Sequence, residues 1–339
     1  MNSPDSPLNP RQYIDLLGRN YGGQALTCSD DFFASKDNLL LPGAPVFIED
    51  KYTVNGKWMD GWESRRRRGP GHDWCVLRLG LTGVIRAVNI DTTHFRGNAP
   101  AAITLQACNR DTDPDKDTIW QDILTATPVK PNCENIVAVD STQPWSHLKL
   151  HIHPDGGVAR LRVYGEVTVD WSRLLPGELV DLAACQYGGR AVACSDMFFG
   201  SMHNLLAPGR GVNMGDGWET RRRRDMGHDW VIIQLGTTGN VQRVEVDTCH
   251  FKGNYPDRIS LEGILTKTTD LTAPGLQWTP LLPELHLGAD RIHRYQTEIL
   301  DSAKTFSHIR LNNYPDGGIS RLRVFGYPGF TKTDAVQQP

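Results

Sequence analysis

The sequence predicts an all-β protein: two tandem, homologous β-sandwich domains of the jelly-roll kind. Three features carry this reading. The chain repeats itself almost from end to end, its apolar runs are short and strand-like, and turn signals recur where long helical periodicity is absent.

The duplication is read from matched blocks. Tyr21-Gly-Gly23 returns as Tyr187-Gly-Gly189, Cys28-Ser-Asp-Asp-Phe-Phe33 as Cys194-Ser-Asp-Met-Phe-Phe199, and Asn38-Leu-Leu40 as Asn204-Leu-Leu206. Asp60 to Trp74 matches Asp216 to Trp230 with 12 identities in 15 positions. Asp91-Thr-Thr-His-Phe-Arg-Gly-Asn98 answers Asp247-Thr-Cys-His-Phe-Lys-Gly-Asn254, and Pro154-Asp-Gly-Gly157 with Arg160-Leu-Arg-Val163 answers Pro315-Asp-Gly-Gly318 with Arg321-Leu-Arg-Val324. The offset between matched residues is 166 at Cys28/Cys194, 156 at Asp60/Asp216 and 161 at Pro154/Pro315. The first repeat therefore carries about ten extra residues around Val46 to Lys57, ahead of its arginine run. The expected organisation is an N-terminal tail (1–14), repeat one (15–168), a linker (169–180), repeat two (181–328) and a C-terminal tail (329–339).

Within each repeat the elements follow from pattern. Tyr13 to Leu17 and Glu178 to Leu182 allow one short helix at each start. Trp230-Val-Ile-Ile-Gln-Leu235 is a short apolar run of the kind a buried strand gives. Val241, Val244 and Val246 belong to a further strand. His147-Leu-Lys-Leu-His-Ile-His153 alternates, with Leu148, Leu150 and Ile152 on the inward face, and Arg160-Leu-Arg-Val-Tyr164 does the same with Leu161 and Val163. Pro-Asp-Gly-Gly is a turn. Glu166 to Val180 joins the repeats, and Trp171, Leu174 and Leu175 make it apolar enough to pack along the interface.

Composition removes several function classes. The 36 basic residues are outnumbered by 39 acidic ones, so no basic footprint exists for a nucleic-acid binder. No apolar run approaches the ~20 residues that span a bilayer, and the polar, proline-broken Met1 to Leu8 does not read as a signal peptide. Seven cysteines with no CxxC pair argue against a disulfide framework or a thiolate zinc site, and for reduced, mostly buried thiols. A cytoplasmic protein is expected.

The chemistry concentrates in Gly-Trp-Glu-Ser/Thr-Arg-Arg-Arg-Arg, present as Gly61 to Arg68 and Gly217 to Arg224. In an extended run Arg65 and Arg67 share a face with Glu63, and Arg66 and Arg68 take the other. One face can be tied up in structural pairs with Glu63 or Asp73, while the other presents a planar fork to a carboxylate ligand. Gly-His-Asp-Trp follows each run. His72 and Asp73 point oppositely on a strand, so each needs a partner from elsewhere, for which His94 or His250 is available. His151 and His153 share a strand face, but repeat two has Asn312 and Tyr314 there, so a solvated face is expected rather than a metal site. Asp155 or Asp316 at a loop tip can reach a ligand. No G-x-S-x-G elbow or phosphate-binding glycine loop is present.

With these blocks assembled, the chain resembles the allantoicases over roughly Asp15 to Gly326. The resemblance implies tandem jelly rolls similar to galactose-binding modules, and hydrolysis of allantoate to ureidoglycolate and urea in allantoin and purine degradation. Allantoate, a small carboxylate with two ureido arms, suits an arginine fork together with carboxylate or amide acceptors. Arg221, Arg223, Arg65 and Arg67, with Asp229 and Asp73, are the expected substrate-binding residues. Glu219, His228 and His250, with counterparts Glu63, His72 and His94, are the expected acid–base groups. Repeat two is preferred because its loop is shorter. No cofactor or tightly held metal is expected, although the histidines and aspartates are compatible with a loosely bound divalent ion. The partner is the small-molecule substrate, with no nucleic acid or membrane, in a homo-oligomer. The competing reading is a non-catalytic sandwich holding a sugar on Trp62 and Trp218.

Overall fold

A computed structural model describes residues 13–175 and 177–329. Residues 1–12 and 330–339, most of the two expected tails, lie outside the described residues, as does position 176 of the linker. The chain divides into two compact units at Thr168/Val169, each of them β.

Each unit is organised by one 19-residue strand, Asp73–Asp91 in the first and Asp229–Asp247 in the second. Alternating Val, Leu and Ile residues keep this strand buried along most of its length. Its first half pairs with Pro144–His153 and Gln24–Cys28, its second half with Arg160–Val167 and Glu134–Ala138. The strand thus runs through both layers of a sandwich, and the register breaks between Arg78 and Gly83 opposite Trp145/His147. Repeat two reproduces the pattern, with Thr305–Tyr314, Arg190–Cys194, Arg321–Pro328 and Ile292–Tyr295 as partners. Ala102–Cys108 and Gln121–Pro128, or Arg258–Ile264 and Thr279–His286, extend the sheet. The core of repeat two, including Trp218, Val231, Ile233, Phe306, Ile309, Leu311 and Leu322, is almost wholly inaccessible.

Two local expectations are corrected, and the extra segment gains a structure. No short helix forms at either repeat start; Ile14–Asp15 and Val180–Asp181 are edge strands, followed by 3-10 turns at Arg19–Tyr21 and Cys185–Tyr187. The cause is a carboxylate: Asp15 accepts the Val163 N–H at 2.9 Å and Asp181 the Val324 N–H at 2.8 Å, drawing the segment onto the sheet. The extra segment of repeat one carries a small hairpin, Tyr52–Thr53 with Gly56–Lys57. In the joining segment Trp171 is buried and stacks on Tyr187 and Leu174 packs on the core of repeat two, whereas Leu175 is exposed.

All seven cysteines are free thiols, four of them buried. Among the described residues no helix is long and apolar enough to cross a membrane.

Candidate active site

The arginine run follows a two-residue strand and has no regular secondary structure of its own, and the aspartates around it decide which side chains are captured. Asp196 accepts the Arg221 backbone N–H at 2.7 Å and its Nε–H at 3.0 Å. Burial works to raise the Asp196 carboxyl, but the hydrogen bonds from Arg221 and Phe198 outweigh it and hold the group below the usual carboxylate range. Arg223 donates to Asp225 at 2.9 Å and to the fully buried Asp229 at 2.8 Å, while its backbone N–H donates to Asp316 at 2.8 Å. Repeat one copies this: Arg65 binds Asp30 through its backbone and guanidinium, Arg67 binds Asp73, and the Arg67 N–H binds Asp155.

The expected substrate-binding arginines, Arg65, Arg67, Arg221 and Arg223, are therefore held in structural pairs, and Asp73 and Asp229 are the buried anions that hold two of them. Glu63, expected as an ion-pair partner for the run, instead accepts a hydrogen bond from Asn98 at 2.7 Å. The even-numbered arginines take the open face. Arg222 is exposed, and no described residue pairs with it.

Arg222 lines a cleft of about 610 Å³ in repeat two, with Phe199, Glu219, Asn254, Tyr255, Asp257 and Asp316 among the other walls; Arg223, although paired with Asp225 and Asp229, borders the same cleft. Local structure explains how these residues meet. Glu219 stands on the two-residue strand Trp218–Glu219, which pairs with Gly318–Ile319. Trp218 anchors that strand from below, fully buried, with its indole N–H on the Asp196 carbonyl at 2.8 Å. Gly318 lets the strand sit tight: a Cβ there would lie 1.9 Å from Phe251. Gly317 holds φ +131°, and its Cβ would strike the Asn254 carbonyl at 2.7 Å. The Pro-Asp-Gly-Gly turn is thus what allows the 254–257 loop to close on Glu219, whose carboxylate accepts a hydrogen bond from the Asn254 side-chain amide. In repeat one the same pair is Glu63 and Asn98; burial pushes the Glu63 carboxyl up, and the Asn98 hydrogen bond opposes it.

The histidines sit elsewhere. His250 has a left-handed backbone at φ 71°, its N–H donating to Asp290 and its Nε2–H to the Gly211 carbonyl at 2.8 Å; His94 meets Pro45 in the same way at 3.2 Å. Neither partners the Gly-His-Asp-Trp block. His228 packs on the Tyr314 ring at 4.6 Å, outside the cleft lining. His72 and His151 meet through ring nitrogens 2.8 Å apart, and His153 packs on His72 at 4.6 Å. His151 and His153 are thus linked side chains rather than a solvated face. Among the described residues no group of three or more His, Cys, Asp or Glu is placed to hold a metal ion. Trp62 and Trp218 are fully buried and cannot serve as sugar platforms.

Sequence reasoning placed the even-numbered arginines on a face of their own without selecting Arg222, and it missed Asn254, Tyr255 and Asp257. The signal for the last two lay in the duplication: Asn254-Tyr-Pro-Asp-Arg258 stands where repeat one has Asn98-Ala-Pro-Ala-Ala102.

The model of the allantoicase repeat matches residues 14–168 and again 180–329. A probable allantoicase 2 of Burkholderia pseudomallei is 48% identical over 327 residues, covering 95% of this chain and 97% of that protein. A probable allantoicase of Pseudomonas aeruginosa is 47% identical over 332 residues, with 97% and 99% covered. The crystal structure of allantoicase from Saccharomyces cerevisiae superposes with a TM-score of 0.79 at 36% identity, covering 93% of each chain. Two copies of the repeat, with the same tandem architecture from end to end, mean that this chain belongs to the allantoicase family.

Proposed function

We propose that the protein hydrolyses allantoate to ureidoglycolate and urea, and that the reaction runs in the cleft of repeat two. The observation that carries this reading is the lining itself: an exposed guanidinium that pairs with no described residue, Arg222, shares one small cleft with carboxylates and an amide. That set matches a carboxylate flanked by ureido N–H and C=O groups.

Urea leaves intact only if the bond from the central carbon to a ureido nitrogen breaks. Arg222 holds the substrate carboxylate, and Glu219, steadied by Asn254, moves the protons. The Glu219 carboxylate takes the N–H proton of the retained arm and delivers it to the nitrogen of the departing arm. The C–N bond breaks, giving urea and an acyl imine. Water then adds across C=N, its oxygen to carbon and its proton, through Glu219, to nitrogen. Every proton is accounted for, and the carboxylate returns to its starting state. Such acid–base help is typically worth about 10²–10⁴-fold. This scheme gives the chemistry to Glu219 and not to His228 or His250, whose rings lie outside the lining.

The test is turnover in water enriched in heavy oxygen. Freshly formed urea is expected to be free of label, which enters ureidoglycolate. Label in the urea carbonyl means that water attacks there, and no urea at all sinks the assignment. The same reading takes the protein to be cytoplasmic, homo-oligomeric and independent of a tightly bound metal. Light scattering on the purified chain, and turnover after chelation, check the last two.

A further inference from the structure

Four residues around the rim of the repeat-two cleft have no chemical equivalent in repeat one. Tyr255 and Asp257 line the cleft. Asp257 is braced from two sides: Arg258 donates Nε–H to its Oδ2 at 3.0 Å, and His286 meets its Oδ1 at 3.3 Å. Arg258 is itself fixed by Glu284 at 2.5 Å. His286 reaches this place because Thr279–His286 pairs with Arg258–Ile264, setting His286 opposite Arg258. Repeat one has the same strands in the same register, with Ala102 opposite Pro128. There the four positions are Ala99, Ala101, Ala102 and Pro128. The backbone frame is shared: Asn98 and Asn254 each accept the N–H of the glycine two residues past the aspartate, at 2.7 Å. The Glu–Asn pair is shared as well. The rim differs, and repeat one also lays its extra hairpin segment against Phe33, the counterpart of the wall residue Phe199.

We propose that Asp257, with the Tyr255 hydroxyl, reads a ureido arm of the substrate and makes repeat two selective for a carboxylate bearing two such arms. This rests on the allantoate reading above. A ureido group offers its inner N–H and one terminal N–H side by side, pointing the same way. A carboxylate accepts such a parallel pair as it accepts an arginine fork. Asp257 has about four lone-pair positions, and its two protein partners use one on each oxygen, so both oxygens keep capacity for the arm. The braces fix the direction in which that capacity points. The tyrosine hydroxyl donates or accepts, and so serves the ureido C=O or N–H. Repeat one, with alanines, keeps the arginine and the Glu–Asn pair but has nothing to hold that arm.

The experiment uses the full chain with Asp257→Ala, Asp257→Asn and Tyr255→Phe. Urea release from allantoate is followed at steady state, with glycolate as competitive inhibitor, a carboxylate that carries no ureido arm. In Asp257→Ala the KM for allantoate is expected to rise about tenfold, the loss of one charge-assisted contact in an open cleft, with kcat changed less than about threefold. The glycolate inhibition constant stays within about twofold of wild type, since Arg222 is untouched. Asp257→Asn, which keeps one acceptor oxygen, and Tyr255→Phe fall between. An unchanged KM overturns the proposal. So does a glycolate constant that rises as far as KM, because Asp257 then shapes the cleft in general. Arg222→Lys and Glu219→Gln in parallel separate the two readings. If they turn over normally, the placement of the reaction fails; if they are crippled while Asp257→Ala is wild type, only the arm-reading fails.

Discussion

Adjacent arginines 222 and 223 have opposite fates in the structure, and exchanging each for lysine separates them. Arg223 makes three side-chain hydrogen bonds: two to Asp225, which is exposed, and one of 2.8 Å from Nη1 to Asp229, which is 1% exposed. The pairs with Asp225 are surface ion pairs, worth about 0–1 kcal/mol. The Asp229 contact serves a buried carboxylate whose other oxygen has no partner among the described residues, leaving the Ser195 hydroxyl at 2.8 Å as its remaining described side-chain donor. A lysine ammonium cannot span both aspartates, so Arg223→Lys is expected to cost about 1.5–3 kcal/mol. For a unit of this size that lowers the melting transition by about 3–12 °C. Arg222 gives up no described contact, so Arg222→Lys should leave stability within about 0.5 kcal/mol. It removes the planar fork, however, and kcat/KM for allantoate should fall about 10–100-fold, mostly through KM. Calorimetry and urea-release kinetics on the two variants decide the matter. If Arg223→Lys melts like wild type and loses activity while Arg222→Lys keeps it, the division of labour along the run is wrong.

Three further outcomes are expected. Asp60 and Arg160 form a buried ion pair at 2.7 Å, so Asp60→Ala strands a buried guanidinium and should cost repeat one about 3–5 kcal/mol in chemical denaturation, and the double change Asp60→Leu with Arg160→Met should recover most of it. His151 and His308 are buried and pushed down to about 4, by burial first and then by neighbouring positive charge from His72 and Lys149 or from Arg190. Such a histidine binds its proton more readily unfolded, near 6.5, so its stabilisation is complete above that pH and is lost as pH falls towards 4, by about 2–3 kcal/mol each. The urea midpoint should therefore drop between pH 7 and 4.5, and His151→Asn, which copies Asn312, should flatten the drop for repeat one; an equally steep drop in that variant refutes the cause. Gly317→Ala forces a side chain onto a φ of +131° and into the Asn254 carbonyl, so it should raise KM and lower the melting temperature together, and a variant indistinguishable from wild type would show that the 254–257 loop does not depend on this turn.

Much of this was legible in the sequence because duplication doubles every signal. Alternation in His147 to His153 and Arg160 to Tyr164 gave the correct inward faces, and Glu219 emerged as a site candidate from residue type alone. What alternation could not supply was the side on which the anions lie. Arg221 is captured by Asp196, 25 residues upstream, and Arg223 has its backbone held by Asp316, 93 residues downstream. Those contacts are set by the sandwich and not by spacing along the run. The same limit explains the missing helices: Tyr13 to Leu17 has local helical spacing, but Asp15 finds its donor at Val163 across the sheet. Trp62 and Trp218 read as candidate platforms because a tryptophan beside charge looks exposed in one dimension, whereas each is a fully buried anchor under the strand.

The two carboxylates that hold the backbone on either side of Arg222 also have a thermodynamic meaning. Asp196 fixes the amide of residue 221 and Asp316 that of residue 223. Ordering a free segment costs about 1–2 kcal/mol per residue in backbone conformational entropy. Here that ordering is complete before any ligand arrives, and an anion meeting Arg222 has only one side chain's rotamers to freeze, at most about 2 kcal/mol. The run of like charge is, in this sense, a hinge already locked, and it leaves a single arginine the freedom to adapt.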